Sequence, residues 1–302
     1  MKMAIKMLIK LLISLVLVLI LAVCVSLFWY YPWFAANRRT VTVPAGDGAE
    51  SKLMSYNLRC ITPLDVGKKN WFYRADHILS DIEKEAPGII GFQEATRWQY
   101  NFLVESLPDY DSVITYRDDA FNSEGCPIFY HTLRYTLVEK GSFWLSETPE
   151  TMSRDWGAAC YRITSYVILT DNFSGKDFVV FNTHLDHVSD EARIKGMEVI
   201  LQKIAQFGGL PAVIMGDLNA EEDSATIAAA TEHFLDARYA APDTVDTYTF
   251  QNWGNFAEAV RIDYFMISKT GIKPLQYRVL DQPHGDVWPS DHSSIVLTLE
   301  LE

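Results

Sequence analysis

The strongest constraint on the fold of this 302-residue chain is an uncharged stretch near its N-terminus. The 26 residues from Leu11 to Ala36 include no charged side chain, and Arg38 and Arg39 follow soon after. About 20 apolar residues in a helix are enough to cross a bilayer, so the stretch predicts one transmembrane helix. Aromatic residues, which favour the membrane–water interface, lie near its C-terminal end: Trp29, Tyr30, Tyr31 and Trp33.

A signal peptide is the alternative interpretation of this stretch. Its apolar region would span only about 7–15 residues and precede a small-x-small cleavage site, so a retained anchor at residues 1–39 fits better. A lipoprotein-type site at residues 21–24 fits poorly, because Val23 stands where a small residue is expected. Lys2, Lys6 and Lys10 precede the span and two arginines follow it. This slight bias favours a single-pass membrane protein with its domain on the outer, extracytoplasmic face.

The rest of the chain predicts a linker at residues 40–50 and one domain at residues 51–302, because no repeat or low-complexity segment divides it. Five of the 26 basic residues flank the apolar stretch, so 21 basic and 39 acidic residues give the domain a formal charge of −18. Non-specific nucleic-acid binding needs the opposite excess. A phosphate-bearing substrate would have to be held locally, through a divalent cation bound by acidic residues. The domain's Cys60, Cys126 and Cys160 lack C-x-x-C spacing and allow at most one disulfide.

Several predicted strands end in polar side chains. Segments at residues 53–59, 89–92, 178–181 and 211–215 resemble core strands, and a polar residue ends or follows the apolar run of each of them. Helices predicted at residues 71–84 and 190–207, from apolar residues at three- and four-residue spacing, separate pairs of strands. Hairpins connect the others. The pattern predicts an α/β domain with two mixed β-sheets packed face to face and helices outside.

Three oxygen-bearing side chains near strand ends form a candidate metal site. Asn57, Glu94 and Asp291 offer oxygen ligands only, which suit a hard cation such as Mg²⁺ or Mn²⁺ that also binds substrate phosphate. Zinc would require more His or Cys ligands. The sequence therefore favours magnesium or manganese as the cofactor.

The other polar residues at these ends supply the remaining groups for hydrolysis of a phosphate ester. Asp217 is suited to orienting and deprotonating a water, with Asn219 fixing the water's position. His184 and His292 are suited to donating protons or hydrogen bonds to the phosphate. A buried Asp263 would hold one imidazole in a single tautomer and raise its pKa.

Six ordered motifs resemble those of the endonuclease/exonuclease/phosphatase superfamily, which includes DNase I, abasic-site endonucleases, sphingomyelinases, inositol polyphosphate phosphatases and CCR4-type deadenylases. The motifs span the predicted domain and are Ser55–Asn57, Gln93–Glu94, Asn182–His184, Gly216–Asn219, Arg261–Tyr264 and Ser290–His292. The resemblance implies a DNase I-like four-layer α/β sandwich of two packed mixed β-sheets flanked by helices.

The resemblance also implies roles for individual residues. It places the metal at Glu94, with Asn57 and Asp291 close by, and it places Asp217 and Asn219 around the attacking water. His184 would contact the phosphate, and His292, paired with Asp263, would be the second phosphate-facing histidine. Residues Phe143–Pro149 look like the bacterial metal-dependent hydrolases nearest the CCR4-type deadenylase-like group, and Arg162 is a candidate phosphate contact.

The leading functional hypothesis is a membrane-anchored, Mg²⁺- or Mn²⁺-dependent phosphoesterase acting on a phosphodiester or phosphomonoester. Its partners would be a nucleic acid, lipid or small phosphoester as substrate and the membrane through the N-terminal helix; the sequence suggests no protein partner. The alternatives are a nuclease specific for RNA or DNA ends and a sphingomyelinase-like lipid phosphodiesterase. A catalytically silent binding module of the same fold is disfavoured, because all eight candidate residues are present.

Overall fold

The computed structural model describes residues 2–46 and 48–302. Met1 and Asp47, which belong to the predicted anchor and linker, lie outside the described residues, as do the side chains of Lys2 and Tyr30. The helices are α1 (Lys2–Val25), α2 (Tyr31–Ala36), α3 (Trp71–Glu85), α4 (Arg97–Ser106), α5 (Asp190–Ala205), α6 (Ala225–His233) and α7 (Ala237–Ala240).

Fourteen strands make up the described sheets, with bounds β1 (Glu50–Asn57), β2 (Ile89–Gln93), β3 (Ala95–Thr96), β4 (Tyr110–Val113), β5 (Glu124–Gly125), β6 (Ile128–His131), β7 (Tyr135–Trp144), β8 (Ile163–Asp171), β9 (Lys176–His184), β10 (Ala212–Asp217), β11 (Phe234–Asp236), β12 (Asp263–Ser268), β13 (Ile272–Leu280) and β14 (Ser294–Leu301).

Two six-stranded mixed sheets form the centre of the domain. The first has the order β13-β14-β1-β2-β6-β4, and the second has the order β11-β12-β10-β9-β8-β7. Strand β1 pairs parallel with β2, and β9 pairs parallel with β10, while the other neighbours are antiparallel. The predicted fold class, a DNase I-like α/β sandwich, is confirmed.

Three apolar clusters hold the layers together. The first lies between the two sheets and is rich in aliphatic side chains such as Leu53 and Val180. The second packs α3 and α4 on the outer face of the first sheet, and the third packs α5 and α6 on the outer face of the second sheet. Burial on both faces explains why the central strands read as continuous apolar runs in the sequence.

A buried polar link joins the two sheets directly behind the polar strand ends. Asn182 on β9 donates from Nδ2 to the carbonyls of Phe92 and Pro127, each at 2.8 Å. Its Oδ1 accepts from Gln93 Nε2 on β2 at 2.7 Å. Both side chains are fully buried, and a hydrogen bond formed where water is excluded depends strongly on its geometry. The link therefore fixes how β2 and β9 lie relative to each other.

The close pairing of β9 and β10 depends on Gly216. A Cβ atom placed there would lie 2.0 Å from the carbonyl oxygen of Thr183. The residue also has a φ of 139°, which side-chain-bearing residues rarely adopt. Glycine at this position therefore lets the two parallel strands end side by side.

Helices α1 and α2 are joined by the π-helical segment Ser26–Tyr30 into one continuous helix that ends against the domain. The part from Met3 to Ala36 is long and apolar enough to span a membrane. Its aromatic end differs from the interfacial belt suggested by the sequence, because Tyr31 and Phe34 pack on Phe72 of α3, with ring centroids 5.8 and 5.1 Å apart. Aromatic side chains suit an interface with protein or with lipid equally well, so the sequence alone did not separate these two environments.

The segment predicted as a linker is partly packed. Val41 and Val43 are buried against α3 and α4, and the N–H of Val41 donates to the carbonyl of Ser106 at 2.8 Å. The predicted helices at residues 71–84 and 190–207 match α3 and α5 closely. All four cysteines of the chain are free in the structure.

Some elements were absent from the sequence interpretation. Helix α4 is mostly polar in sequence, and its best signal was the capping box formed by Thr96 and Gln99. Strand β13 contains Pro274, which argues against a central strand but is tolerated at the edge position that β13 occupies. Residues 247–250 (Thr-Tyr-Thr-Phe) are of types that favour a strand, but they make only isolated bridges through Phe250.

Candidate active site

The polar strand ends converge at one edge of the sandwich. The parallel register places Asp217 of β10 beside His184 of β9, and Asn57 of β1 beside Gln93 of β2, whose neighbour is Glu94. The antiparallel register places Asp263 of β12 opposite Asp217. Asp291 and His292 directly precede β14, which pairs with β1. Polar strand ends that are far apart in the sequence therefore share one cleft.

One carboxylate oxygen, Asp217 Oδ2, lies at the centre of the group. It accepts a hydrogen bond from Asn57 Nδ2 at 3.0 Å and lies 3.4 Å from His184 Nε2 and 3.7 Å from His292 Nε2. The other oxygen, Oδ1, accepts from the backbone N–H of Asn219 at 2.9 Å. Asp217 is buried, so these contacts fix both of its oxygens.

Asp263 orients His292 by binding the ring nitrogen that faces away from Asp217. The Nδ1–H of His292 donates to Asp263 Oδ2 at 2.9 Å, which leaves Nε2 facing Asp217. The rings of Phe250 and His292 pack edge to face, with their centroids 5.0 Å apart. Thr249 accepts the backbone N–H of Asp263 at 2.9 Å. This second layer of contacts restricts both the tautomer and the orientation of the imidazole.

The electrostatics of the two histidines differ. Burial lowers the pKa of His292, but the charges of Asp263 and Asp217 outweigh burial and raise it above the usual value. Burial lowers the pKa of His184, and the nearby Arg162 and Arg117 lower it further. Burial and the charge of Asp263 raise the pKa of Asp217. The cleft thus combines a cationic His292, a neutral His184 and a carboxylate with increased proton affinity.

The predicted metal group forms an oxygen-rich corner of the cleft. Glu94 has a left-handed backbone, with φ of 57°, and its Oε2 accepts the backbone N–H of Cys60 at 2.8 Å. Its Oε1 has only a long 3.3 Å contact from Asn57 Nδ2. Burial raises the pKa of Asp291, whose nearest cation is Arg59 at 3.6 Å. Carboxylate oxygens that are incompletely satisfied and face a cleft fit a hard divalent cation.

A second group could offer ligand atoms to a metal. One ligand atom each from Asp217, Asp263 and His292 lie within 4.8 Å of one another. In this group, however, His292 Nδ1 already donates to Asp263, so their closeness is explained by a hydrogen bond. The Glu94 corner, which has oxygen ligands and no such internal pairing of its carboxylates, suits a hard divalent cation better.

The cleft around these residues is open and has a volume of about 710 Å³. Among the residues lining it are four arginines that the negative charge of the domain did not suggest: Arg59, Arg117, Arg162 and Arg193. Arg117 is paired with Glu124 across the cleft wall at 2.7 Å. Of the four, the sequence interpretation had named only Arg162 as a candidate. Arg59 lies two residues beyond Asn57, and that spacing was the one signal that pointed to it.

Arg162 is anchored so that it faces the cleft. It is buried, its Nη2 donates to His187 Nδ1 at 2.9 Å, and its Nε lies 3.6 Å from Asp186. Asp186 accepts the backbone N–H groups of Val188 and Ser189 at 3.0 and 2.9 Å. Asp186 and His187 therefore brace the loop after His184 and the base of Arg162.

Asn219 contacts Asp217 through the backbone, and its side chain points to a neighbouring loop. It adopts a left-handed conformation, with φ of 47°, and its Nδ2 donates to the carbonyl of Leu185 at 3.1 Å. The predicted water-positioning residues are thus adjacent and both line the cleft. All eight of these predicted site residues lie at this edge of the sandwich; six are buried, and Glu94 and Asn219 are half-buried.

The sequence matches the model of the endonuclease/exonuclease/phosphatase family over residues 54–292. The chain belongs to this family, as the motifs predicted, and members of the family are hydrolases that act on phosphoester bonds. The predicted enzyme class is therefore confirmed at that level.

Solved structures share both the fold and part of the sequence. An endonuclease/exonuclease/phosphatase from Bacteroides vulgatus is 30% identical, with a TM-score of 0.79 over 84% of this chain and 99% of that chain. The mannosyl-6-phosphatase of Bacteroides thetaiotaomicron is 30% identical, with a TM-score of 0.75 over 82% of this chain and 99% of that one. The human Nocturnin catalytic domain with bound sulfate resembles it in fold, at 19% identity and a TM-score of 0.65 over 84% and 95% of the two chains.

A curated relative from Acanthamoeba polyphaga mimivirus is 34% identical over 124 residues. This match covers 38% of the present chain and 46% of the relative, so the two align over less than half of the relative's length.

Proposed function

We propose that this protein is a membrane-anchored phosphoesterase that depends on Mg²⁺ or Mn²⁺ and hydrolyses small phosphate esters, with phosphorylated sugars as the best-supported class. The observation that carries the proposal is the position of Asp217 Oδ2, which three side chains from other strands surround next to the oxygen-rich Glu94 corner. The 30%-identical mannosyl-6-phosphatase supports a sugar phosphate as substrate.

The roles of the residues follow from their contacts. Glu94, Asn57 and Asp291 would hold the metal, which when bound neutralises charge on the phosphate and favours attack by water. Asp217 has a raised pKa and no cationic side chain within hydrogen-bond distance, so it is suited to accept the proton of the attacking water. Asn219 would hold that water beside Asp217. Each of these groups is in place before the substrate arrives, which reduces the cost of organising the reaction.

The histidines would act on the phosphate. His292, kept cationic by Asp263, is suited to donate a hydrogen bond from Nε2 to a phosphate oxygen as negative charge develops. His184 is neutral and lies on the other side of Asp217, where it can bind a second oxygen. Asp263 is a positioning residue, because its carboxylate bonds Nδ1 of His292, on the side of the ring away from Nε2.

The location is part of the same proposal. The single apolar helix supports a membrane anchor, and the positive charges flanking it favour the outer face for the domain. The domain boundaries, with the anchor at residues 1–39 and the enzyme domain from residue 51, are proposed on the same grounds.

The experiment that tests the function uses the purified full chain in detergent. It is incubated with Mg²⁺ or Mn²⁺ and a panel of substrates: mannose 6-phosphate, inositol phosphates, sphingomyelin, RNA and both forms of DNA. We expect phosphate release from the sugar phosphate, loss of release with EDTA, and recovery when excess Mg²⁺ is added. Absence of EDTA-sensitive hydrolysis of every ester would contradict the proposal, and activity confined to RNA or DNA would favour the nuclease alternative.

Replacing Arg162 tests how the phosphate is held. A charge-assisted hydrogen bond contributes about 1.5–3 kcal/mol, so Arg162→Met is expected to raise KM about 10- to 100-fold with a smaller change in kcat. Arg154→Met is the matched control, because Arg154 is exposed and does not line the cleft. Equal KM values for the Arg162 variant and the unmodified enzyme would exclude this contact.

A further inference from the structure

Large apolar side chains are exposed on two loops that also carry residues of the cleft and on the first turn of α4. Phe121 is 94% exposed, Leu64 is 80% exposed and Trp98 is 58% exposed. We call Leu64, Trp98 and Phe121 the apolar rim. Scattered apolar side chains are normal on protein surfaces, but a group near one another indicates a partner.

The loops connect the apolar rim to the cleft. Leu64 follows Arg59 on the loop after β1, and Trp98 lies four residues after Glu94. Phe121 lies between Arg117 and Glu124, both of which line the cleft. Next to Trp98, Arg97 stacks on Tyr116 at 4.5 Å, and Gln99 donates to the carbonyl of Arg59 at 2.9 Å. The rim therefore adjoins the side of the cleft formed by Arg59 and Arg117, and what covers the rim also approaches the cleft.

A groove joins the apolar rim to the N-terminal helix. It has a volume of about 400 Å³, and Trp98 and Phe121 line one part of it while Val23, Ser26 and Leu27 of the helix line another. Arg97 also lines the groove. Tryptophan and arginine together are typical of surfaces that contact lipid headgroups.

The length of the helix places this groove at the height of the bilayer surface. The span Met3–Ala36 has 34 residues, about 50 Å at 1.5 Å per residue, whereas the hydrocarbon core is only about 30 Å thick. Its last residues cannot be the embedded part, because Tyr31 and Phe34 pack on α3. The embedded part is then the stretch of about 20 uncharged residues that follows Lys10 and ends near Tyr30. Val23, Ser26 and Leu27, which line the groove, lie in the last turns of this stretch, on the side of the domain.

We propose that the apolar rim is a second membrane contact, which rests on the lipid interface and holds the mouth of the cleft beside the bilayer. The proposal rests on the membrane anchoring given above. Its consequence is that the enzyme meets phosphate esters displayed at the membrane surface, including headgroups and membrane-linked glycans, in preference to esters in bulk solution. The aromatic side chains of the rim and the neighbouring Arg97 favour the interface and not the hydrocarbon core.

Photo-crosslinking in lipid nanodiscs tests the contact without relying on activity. Benzoylphenylalanine replaces Phe121 in the full chain, and lipid adducts are measured by mass spectrometry after illumination. A Leu17→benzoylphenylalanine chain is the positive control for the anchor, and Phe173→benzoylphenylalanine is the negative control, because Phe173 is exposed at the opposite end of β9 from His184.

We expect lipid adducts at positions 17 and 121 and none at position 173. Adducts at position 17 with none at 121 would overturn the membrane contact while leaving the anchor intact, and adducts to protein at 121 would show that another chain covers the rim. Absence of adducts at position 17 would overturn the anchor and with it this proposal. None of these outcomes depends on hydrolysis, so they are separable from failure of the proposed enzyme function.

A matched pair of double variants tests whether the side chains themselves form the contact. With benzoylphenylalanine at Trp98, Leu64→Ser/Phe121→Ser is expected to remove most lipid adducts. Leu133→Ser/Phe173→Ser replaces a leucine and a phenylalanine that are also exposed, at 76% and 54%, at the far end of the domain, and it should leave the adducts unchanged. Equal loss in both variants would contradict a specific rim.

Discussion

Asp217→Asn is expected to lower kcat for phosphate-ester hydrolysis by about 10³-fold, because it removes the group that accepts the water proton. KM should change little, since Asp217 is surrounded by Asn57, His184 and His292 and makes no contact assigned to substrate binding in the ground state. Steady-state kinetics at saturating Mg²⁺ would measure the effect. A kcat within about tenfold of the unmodified enzyme would exclude Asp217 as the base, given the usual contribution of such a group.

Loss of folding is not expected to explain this result. Burial raises the pKa of Asp217, so the ionised carboxylate is less stable in the folded protein than in the unfolded chain. That cost is present above the unfolded pKa and disappears as pH falls, and the neutral Asn removes it at neutral pH. The melting temperature of Asp217→Asn should therefore equal or exceed that of the unmodified chain, a pattern typical of active-site residues. Asp177→Asn, at the other end of β9, is the matched control and should retain activity.

Glu94→Gln is expected to affect metal binding and activity together. The substitution keeps the shape of the side chain but removes the charged ligand of the proposed cation. We expect an activity loss of about 10³-fold at low Mg²⁺, because metal-assisted catalysis contributes several kcal/mol. Partial recovery at high Mg²⁺ is expected, since Asp291 and Asn57 remain.

Mn²⁺ binding, followed by electron paramagnetic resonance, separates the two variants. Glu94→Gln should bind Mn²⁺ more weakly than the unmodified chain, whereas Asp217→Asn should bind it normally. Glu198→Gln, on the exposed face of α5, is the control for loss of one acidic charge. Unchanged Mn²⁺ binding in Glu94→Gln would remove Glu94 from the metal site.

The sequence predicted the convergence of the polar strand ends because parallel pairing requires it. Once residues 178–181 and 211–215 are identified as neighbouring buried strands, His184 and Asp217 must leave the sheet at the same edge. The same reasoning brings Asn57 and Glu94 together through β1 and β2. Apolar runs that end in polar residues are a strong signal for the ends of buried strands. The order of the six motifs, through the family resemblance, predicted the rest of the fold.

Features that depend on loops or on contacts between layers were not predictable in this way. Nothing local in the sequence shows that Arg117 and Glu124 pair across the cleft or that Asn182 joins the two sheets through Gln93. The packing of the anchor's aromatic end on α3 was equally hidden, because the same side chains would suit a membrane interface. Asn182 and Gln93, like Tyr31 and Phe72, lie far apart along the chain, so their contacts become visible only when the layers are assembled. The pairing of Arg117 with Glu124 depends on how the loop between them folds.

Two separate corners of the cleft carry the chemistry in this account. Glu94, with Asn57 and Asp291, is the metal corner, and His292 paired with Asp263 remains free of metal. Crystals of the full chain grown with Mn²⁺ would test this division most directly through anomalous scattering. We expect an anomalous peak on the carboxylate of Glu94. A peak between Asp217, Asp263 and His292, with none at Glu94, would contradict it.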